Sequence, residues 1–228
     1  MGRYFRIEKT EDPGKLMSLY NLRYQVYCEE RGFIPKQLCP GQLEIDEYDD
    51  VSLHFAAYYN ADQEATGTVR LIKGEFLEQL PLCNKCRIDR SLLPEDFKPE
   101  SCAEISRLAI SKRLRRRATD GYYPNEKPDN RSTGSLPNKR ARFPEIVEGL
   151  YRALYRETKR HKIEYWLAAM EPSLVKLLKR LYVGFREIGP EAEYYGVVKP
   201  YIASVSEFES SLCAEDPELY ASFESALV

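Results

Sequence analysis

The chain has no apolar run long enough to cross a membrane, and its first residues mix charged and apolar side chains instead of following the order of a signal peptide. These two absences predict a cytoplasmic protein without a membrane span. At 228 residues, of which 43% are hydrophobic and 31% charged, the chain is long enough to bury a sizeable core. We expect one α/β domain, or one domain with an appendage.

Histidine is also scarce, with two residues in the chain. Cys83 and Cys86 have the spacing of a zinc knuckle, but no second C-x2-C or H-x3-H pair follows, and His54 and His161 lie far away in the sequence. Six cysteines without a secretion signal are typical of reduced thiols rather than of a disulfide framework. We therefore predict unpaired thiols and no metal, with metal binding at the Cys83–Cys86 pair as the less favoured alternative.

The formal net charge of −2 hides an uneven distribution. Residues 206–228 carry six acidic side chains and no lysine or arginine, so we predict an acidic C-terminal tail outside a domain that spans residues 1–205.

Basic residues form two runs, namely Lys112, Arg113, Arg115, Arg116 and Arg117, then Lys139, Arg140 and Arg142. These runs indicate an anionic partner or a solvated helix face. A nucleic-acid-binding module is a rival explanation, but the first run has no aromatic residues between its charges, so we expect no nucleic acid partner.

Apolar periodicity predicts an alternation of helices and strands. We expect a first helix from Asp12-Pro13 to about Cys28. The remaining expected elements are strands at 51–59, 65–73, 103–111 and 163–170, helices at 144–161 and 172–184, and short strands at 185–189 and 196–205. Residues 118–143 are rich in Pro, Gly, Asn, Ser and Lys, which predicts a loop that is either mobile over a functional surface or disordered.

Charged residues stand in the middle of two strands that otherwise look buried. Arg70 lies in "TGTVRLI", and Glu104 and Arg107 lie in "AEISRLAIS". Ionised groups at such positions are costly unless they are paired. Acidic partners are available in "LEIDEYDD", which supplies Glu44, Asp46 and Asp49. The pattern indicates a functional site, or a buried ion-pair network that fixes the N-terminal segment to the sheet.

The order of elements and the segment "LKRLYVGFREIG" resemble GNAT-type acyltransferases. Together with Arg23, "LEIDEYDD", Arg70 and "EISRLAIS", the chain is more similar to acyl-homoserine-lactone (autoinducer) synthases and N-acyl amino acid synthases. Still closer is the resemblance to acyltransferases associated with the PEP-CTERM/exosortase system, carried by "SRLA", the basic turn, and Gly189, Pro190, Tyr195, Gly196, Pro200 and Tyr201. The resemblance covers roughly residues 5 to 205. It implies a three-layer α/β/α fold whose mixed, mostly antiparallel twisted sheet is splayed between its two central strands.

The resemblance also implies a reaction, the transfer of a fatty acyl group from a thioester to the amine of an amino acid. Ordinary GNAT enzymes cradle the coenzyme A pyrophosphate in an R/Q-x-x-G-x-G/A turn. Here the turn is Arg113-x-x-Arg116-x-Ala118 and lacks the first glycine. An acidic acyl carrier protein is therefore favoured as donor over coenzyme A, and Lys112 with the arginines that follow it is expected to bind it. We expect no bound cofactor.

Roles for single residues follow from the same resemblance. Glu104 is the expected general base, and Arg107 would orient Glu104 or the acceptor carboxylate. Arg23 would bind that carboxylate through two parallel hydrogen bonds. Backbone N–H groups of Leu108, Ala109 and Ile110 would stabilise the oxyanion, and Trp166 with Phe185 would line the donor site. For Glu44, Asp46, Asp49 and Arg70 substrate binding and the ion-pair network are both open. The alternative functions are acyl-homoserine-lactone synthesis and non-catalytic carrier-protein binding.

Overall fold

A computed structural model describes residues 4–112 and 139–225 of the chain. The strands are β1 Phe5–Thr10, β2 Ser52–Tyr59, β3 Ala65–Lys73, β4 Cys102–Ile110, β5 Tyr165–Met170, β6 Arg186–Glu187, β7 Ala192–Glu193 and β8 Val197–Ser204. The helices are α1 Pro13–Tyr24, α2 Pro81–Lys85, α3 Lys139–Arg160, α4 Pro172–Lys179, α5 Val205–Glu215 and α6 Pro217–Glu224. No helix in these ranges is both long and apolar enough to span a membrane.

The strands form one mixed sheet in the order β1-β2-β3-β4-β5-β8-β6, with β7 also paired to β8. Neighbouring strands run antiparallel except β4 and β5, which run parallel. These two pair only at their first residues, from Cys102 opposite Tyr165 to Glu104 opposite Leu167. Beyond Glu104 the strands separate, so the predicted splay between the two central strands is confirmed.

Helices cover both faces of the sheet. Alternate residues of a strand face opposite sides, and β2 shows which helix lies on which side. Ala56 packs with Leu19 of α1, whereas its neighbours Phe55 and Ala57 belong to the large core beneath α3. The two faces therefore have different contents, with α1 on one side and α3, α5 and α6 on the other.

The first helix begins where the sequence predicts. The Asp12 side chain caps it by accepting a hydrogen bond from the Lys15 backbone N–H at 2.9 Å, and Pro13 occupies its first turn. The regular helix ends at Tyr24 and continues as a π-helical segment, Gln25–Glu30, instead of ending near Cys28. Such wide turns are frequent at functional sites, and this one brings Val26 and Tyr27 to the edge of β4.

The C-terminal segment differs from the predicted acidic tail at 206–228. Up to Ser225 it is folded, as α5 and α6 against the core. Phe208, Leu212 and Phe223 are almost fully buried in the same core as α3. Glu207, Glu215 and Glu218 are exposed, whereas Glu209 and Glu224 are half-buried and lie within hydrogen-bond distance of the Tyr155 hydroxyl. The composition is therefore acidic although the inner face is mainly apolar.

Two further predictions need correction. The helix expected to begin at Pro144 already begins at Lys139, and the helix expected to reach Gly184 ends at Lys179. The predicted loop at 118–143 lies outside the described residues as far as residue 138, and its remaining residues are helical. The sequence analysis placed Pro144 in the first turn of this helix, where proline is tolerated, and so excluded residues 139–143 from it. In the structure Pro144 lies inside α3, one turn after its start.

Candidate active site

A cavity of about 360 Å³ occupies the gap where β4 and β5 separate. One part of its wall is apolar and comes from the α3 side of the sheet, with Ile105, Ile110, Tyr151, Met170, Leu174, Leu177 and Leu178. The other part is polar and aromatic, with Glu104, Ser106, Arg107, Tyr27, Arg31, Tyr194 and Tyr195. The cavity thus joins an apolar half to a polar half, which we call the polar mouth.

Glu104 stands at the point where the two strands part. Its side chain is 1% exposed, and its Oε2 atom accepts a hydrogen bond of 2.8 Å from the Leu82 backbone N–H. Burial raises the pKa of Glu104 to about 7, although the Leu82 N–H and the positive charges of Arg70 and Arg107 lower it. A carboxyl group with this pKa can both accept and return a proton near neutral pH.

Six charged side chains lie beside Glu104, and we refer to them as the ion cluster: Arg23, Glu44, Asp46, Asp49, Arg70 and Arg107. Arg70 donates to both Asp46 oxygens, at 2.5 and 3.0 Å, and to Asp49 at 2.8 Å. The three arginines and three carboxylates balance in charge. The prediction that carboxylates of "LEIDEYDD" pair with the strand arginines is therefore met in the geometry.

Arg23 and Arg70 are equally enclosed members of the ion cluster, each with 1% of its surface exposed. The two terminal nitrogens of Arg23 donate to the two oxygens of Asp49 at 2.7 and 2.9 Å, and its Nε donates to Glu44 at 2.5 Å. The two parallel hydrogen bonds predicted for an acceptor carboxylate thus go to Asp49. Burial would raise the pKa of Asp49, but Arg23 and Arg70 hold it far below its ordinary value.

Arg107 reaches both the ion cluster and the cavity. A bulge in β4 sets Arg107 and Leu108 opposite Val69 of β3, and Arg107 takes a left-handed backbone conformation with φ +54°. Its guanidinium donates to Glu44 at 3.0 and 3.1 Å and to Asp46 at 2.7 Å. Within the described residues it donates no hydrogen bond to Glu104, so the predicted orientation of Glu104 by Arg107 is reduced to charge attraction at longer range.

Aromatic rings close the polar mouth. The Arg107 guanidinium lies 4.7 Å from the centre of the Tyr195 ring, and the Tyr194 and Tyr195 ring centres are 4.6 Å apart. Tyr195 has φ +53° and the following Gly196 has φ +96°. Strained backbone of this kind is retained where the surroundings enforce it, often at functional sites.

The residues predicted along β4 and β5 divide between the two faces. Leu108 and Ile110 line the cavity, and the Leu108 carbonyl accepts a hydrogen bond from the Tyr27 hydroxyl at 3.1 Å. Ala109 faces the opposite side and packs with Leu22 and Val26. Its side chain is therefore separate from the cavity.

Trp166 lies on the same face of β5 as the cavity residues Ala168 and Met170, but it does not line the cavity as expected. It is fully buried in the core, and its Nε1 donates to the Thr158 hydroxyl at 2.9 Å. Phe185 also belongs to that core. Neither Trp166 nor Phe185 is among the described residues that line the cavity. Both side chains stabilise the fold rather than contact a ligand.

The expected donor-binding residues are described only in part. Lys112 is exposed just beyond the end of β4, two residues after the cavity residue Ile110. Arg113, Arg115, Arg116 and Arg117 lie outside the described residues. Their role stays a prediction from the sequence.

Residues that the sequence did not single out complete the site. Leu82 contributes only its backbone N–H, which is free because Pro81 opens α2 and the first turn of a helix leaves its donors unpaired. Tyr27, Arg31 and Tyr194 line the mouth. A backbone donor leaves no pattern in the sequence, but Tyr194 adjoins Tyr195 of the C-terminal motif, and that proximity was an available signal.

All six cysteines are free thiols, and the sulfur atoms of Cys28 and Cys39 lie 3.4 Å apart. In the two described stretches of the chain, no three His, Cys, Asp or Glu side chains are arranged to hold a metal ion.

Residues 22–123 match the protein family model described as "Acetyltransferase (GNAT) domain". The chain has the GNAT fold. This match confirms the predicted fold class and the predicted enzyme class, an acyltransferase. No curated protein matches the sequence.

Several solved structures similar to this chain are acyl-homoserine-lactone or N-acyl amino acid synthases. The acyl-homoserine-lactone synthase LasI has a TM-score of 0.62 and 17% identity over 95% of this chain and 96% of its own. BjaI, a CoA-dependent acyl-homoserine lactone synthase solved with SAM and isopentyl-CoA, has a TM-score of 0.60 and 13% identity over 98% of this chain and 100% of its own. FeeM, an N-acyl amino acid synthase from uncultured soil microbes, has a TM-score of 0.57 and 12% identity over 91% of this chain and 94% of its own. At these identities the similarity establishes the shared fold.

Proposed function

We propose that this GNAT acyltransferase moves a fatty acyl group from a thioester to the amine of an amino acid. The observation that carries the proposal is the cavity between β4 and β5, which joins an apolar half to a polar mouth with Glu104 at the junction. A thioester bound across that junction has its acyl chain among apolar side chains and its carbonyl beside a buried carboxyl group. The incoming amine would occupy the mouth.

Glu104 supplies the proton chemistry in this proposal. An ammonium group must lose a proton before its nitrogen can attack, and a carboxylate with a pKa of about 7 is able to accept it. The nitrogen then forms a bond to the thioester carbon, and the carbon–sulfur bond breaks. The ammonium group loses two protons in becoming an amide N–H: one passes through Glu104 to the leaving thiolate, and the other is released to water. The reaction consumes no other reagent, and Glu104 ends as it began.

The apolar half accounts for the fatty acyl group. Each methylene transferred from water to such a surface contributes about 0.8 kcal/mol, so Ile105, Met170 and Leu178 favour an alkyl chain over a short polar group. We assign stabilisation of the oxyanion to backbone N–H groups between Leu108 and Ile110, next to the bulge in β4.

The ion cluster shapes the mouth. Arg107 is the member that lines the cavity, so we assign it direct contact with the acceptor carboxylate. Arg23, Glu44, Asp46, Asp49 and Arg70 hold it in place through the hydrogen bonds described above. In this assignment those five residues position the binding group and do not themselves touch substrate.

The donor is proposed to be an acyl carrier protein, with acyl-CoA as the alternative. Lys112 is exposed near the cavity and begins the basic run, whose charge suits an acidic carrier. BjaI, by contrast, is a CoA-dependent enzyme of similar structure. The association with the PEP-CTERM/exosortase system and the cytoplasmic location stay predictions from the sequence.

Acyl-homoserine-lactone synthesis is the second candidate, because LasI and BjaI superpose over nearly the whole chain. Both candidate functions transfer an acyl group from a thioester, and they differ in the acceptor. A non-catalytic carrier-binding domain is less favoured, because it would have no use for a carboxyl group whose pKa lies near 7 at the junction of the cavity.

Product analysis separates these functions. The purified full chain is mixed with acyl carrier protein and coenzyme A thioesters of several chain lengths, together with the common amino acids or S-adenosylmethionine, and products are identified by mass spectrometry. N-acyl amino acids support the proposal, whereas homoserine lactones support the second candidate. Tight carrier binding with no product from any combination would leave the non-catalytic function. Glu104→Gln serves as the inactive control, and Glu100→Gln, at an exposed position, as the matched active one.

A further inference from the structure

A second cavity, of about 270 Å³, lies at the edge of the sheet between β1, α3 and α6. β1 is the terminal strand among the described strands, and all its residues from Phe5 to Lys9 border this cavity. The described walls of the two cavities have no residue in common. A ligand held here is therefore separate from the substrates of acyl transfer.

The charged side chains around the second cavity are mainly cationic. Glu8 and Glu157 are its two carboxylates, and each already has a cationic partner outside the wall. Glu8 accepts a hydrogen bond of 2.6 Å from Lys15, and Glu157 accepts one of 2.6 Å from Arg160. Four further cations belong to the wall itself, so positive charge is in excess: Arg6, Lys9, Arg152 and Arg156.

Two arginines of α3 account for this excess. Arg152 donates to Glu148 through Nη2, but its Nε atom is buried and has no hydrogen-bond partner among the described residues. Arg156 is exposed and forms no ion pair or hydrogen bond with any residue that the structure describes. A buried donor without a partner costs free energy, and such groups in native structures call for an explanation.

The spacing of Arg152 and Arg156 adds a second cost. Residues four positions apart are neighbours on the surface of a helix, and like charges at this spacing destabilise it. Arg160, one turn further on, shows the ordinary arrangement, because it pairs with Glu157 of the same helix. An anion bound between Arg152 and Arg156 would remove the repulsion and accept the hydrogen bond that the Arg152 Nε leaves unmade.

We infer that the second cavity binds a small metabolite through an oxyanion, a phosphate or carboxylate group, held between Arg152 and Arg156. Guanidinium groups suit both kinds of oxyanion, because they donate parallel hydrogen bonds to two oxygens. The volume lies just below the usual range of small-molecule sites, about 300 to 1,000 Å³, which favours a small ligand over a protein partner.

Binding of simple oxyanions tests this inference. The full chain, in a chloride buffer, is titrated with sodium phosphate or sodium citrate by calorimetry, and its melting temperature is compared with that in sodium chloride of equal ionic strength. We expect one of the two anions to bind with saturation and to raise the melting temperature. A response to phosphate assigns a phosphate ester as the ligand, and a response to citrate assigns a carboxylate.

Arg156→Gln should weaken binding about tenfold or more, because a hydrogen bond between charged groups is lost. It removes no contact with a described residue, so its melting temperature in chloride should match that of the unaltered protein. Arg152→Gln should weaken binding similarly, although it also loses the bond to Glu148. Arg186→Gln, at an exposed position on β6 outside both described walls, is the matched control and should bind normally.

Two results would overturn the inference. One is an equal melting temperature in phosphate, citrate and chloride with no heat of binding. The other is anion binding that Arg156→Gln and Arg152→Gln leave unchanged, because the anion then binds elsewhere, for example at the basic run that begins with Lys112. The measurements use neither acyl donor nor acceptor, so either result leaves the proposed acyl transfer standing.

Discussion

Two groups of buried charge lie side by side in this protein and differ in how they are satisfied. In the ion cluster, three arginines and three carboxylates neutralise one another, and burial of Asp49 is outweighed by Arg23 and Arg70, so its pKa falls. Among the described residues, Glu104 has only the Leu82 N–H as a hydrogen-bond donor, and its pKa rises to about 7. The paired side chains of the ion cluster stay ionised at any ordinary pH and so keep the site in one arrangement. Glu104, which has no ionic hydrogen-bond partner among the described residues, is able to exchange a proton.

The largest effect should come from Glu104→Gln. Glutamine keeps the size of the side chain and its bond to the Leu82 N–H but accepts no proton, and loss of a general base costs about 10² to 10⁴ in rate. We expect kcat in the acyl-transfer assay to fall by that factor, with a melting temperature at neutral pH no lower than that of the unaltered protein. Glu100→Gln should match the unaltered protein. A Glu104→Gln variant with full activity would remove the distinction between the two groups.

Arg23→Met should mainly affect stability. It leaves Asp49 and Glu44 buried with fewer positive partners, and breaking a buried pair from one side costs about 3 to 5 kcal/mol. Urea unfolding measures the loss. Adding Asp49→Leu should recover part of it, because removing both partners leaves no uncompensated charge at that contact.

The same variant tests the other role predicted for Arg23. If Arg23→Met retained its stability but raised KM for the amino acid, Arg23 would be a substrate ligand, and the ion cluster would be part of the binding site rather than its support. The half-maximal urea concentration and KM therefore distinguish the two explanations in one preparation.

The sequence predicted which charges matter but not how they divide. Arg70, Glu104 and Arg107 were recognisable because charges in apolar strands need partners. The pairing of Arg70 and Arg107 with the carboxylates of "LEIDEYDD" was also predicted. The separation of Glu104 from the ion cluster was not, since it depends on the bulge at Arg107 and the position of α2. Tyr151 and Trp166 illustrate the same limit. Periodicity predicts that both are buried, but it cannot tell a side chain that borders a cavity from one enclosed in the core.

The folded C-terminus was missed for a related reason. Composition marked residues 206–228 as acidic, and acidic segments without basic residues are often solvated. The informative signal was the helical spacing of Phe208 and Leu212. Periodicity within a charged segment therefore deserves more weight than its net charge.

pH should act in opposite directions on the two groups. The raised pKa of Glu104 means that between about pH 4.5 and 7 the unfolded state is ionised there while the folded state is neutral. Stability from this group is thus complete below the unfolded pKa and decreases as pH rises to about 7, by about 3 kcal/mol. Asp46 and Asp49 have lowered pKa values, so their contribution is lost as pH falls below about 4.

Unfolding free energies of the unaltered protein and Glu104→Gln at several pH values test this. From pH 5 to 7 the variant should become progressively more stable relative to the unaltered protein, and below pH 4 both should weaken alike. In the transfer assay, kcat/KM of the unaltered protein should increase with pH and level off above about 7. Parallel stability curves across pH 5 to 7 would show that Glu104 is ionised in the folded protein, like the ion cluster.

Leu174→Trp should change the acyl chain length that the enzyme accepts. Leu174 lies on the first turns of α4 and lines the apolar half of the cavity, so a larger ring reduces its volume. We expect kcat/KM for the longest accepted donors to fall about tenfold while the shortest are unaffected. An equal loss for all lengths would place the acyl chain elsewhere, and Val175→Trp, on the same helix but outside the wall described for the cavity, is the control.

The smallest effect should come from a surface ion pair with good geometry. Arg90 donates to Glu78 at 2.9 Å, a distance like those in the ion cluster, but the two side chains are 76% and 69% exposed. Water solvates both partners when the contact is lost, so Glu78→Gln should change the free energy of unfolding by less than about 1 kcal/mol. Urea unfolding of Glu78→Gln and Arg23→Met, measured side by side, compares an exposed ion pair with a buried one of similar length. A large loss from Glu78→Gln would mean that geometry, rather than removal from water, determines the strength of these pairs.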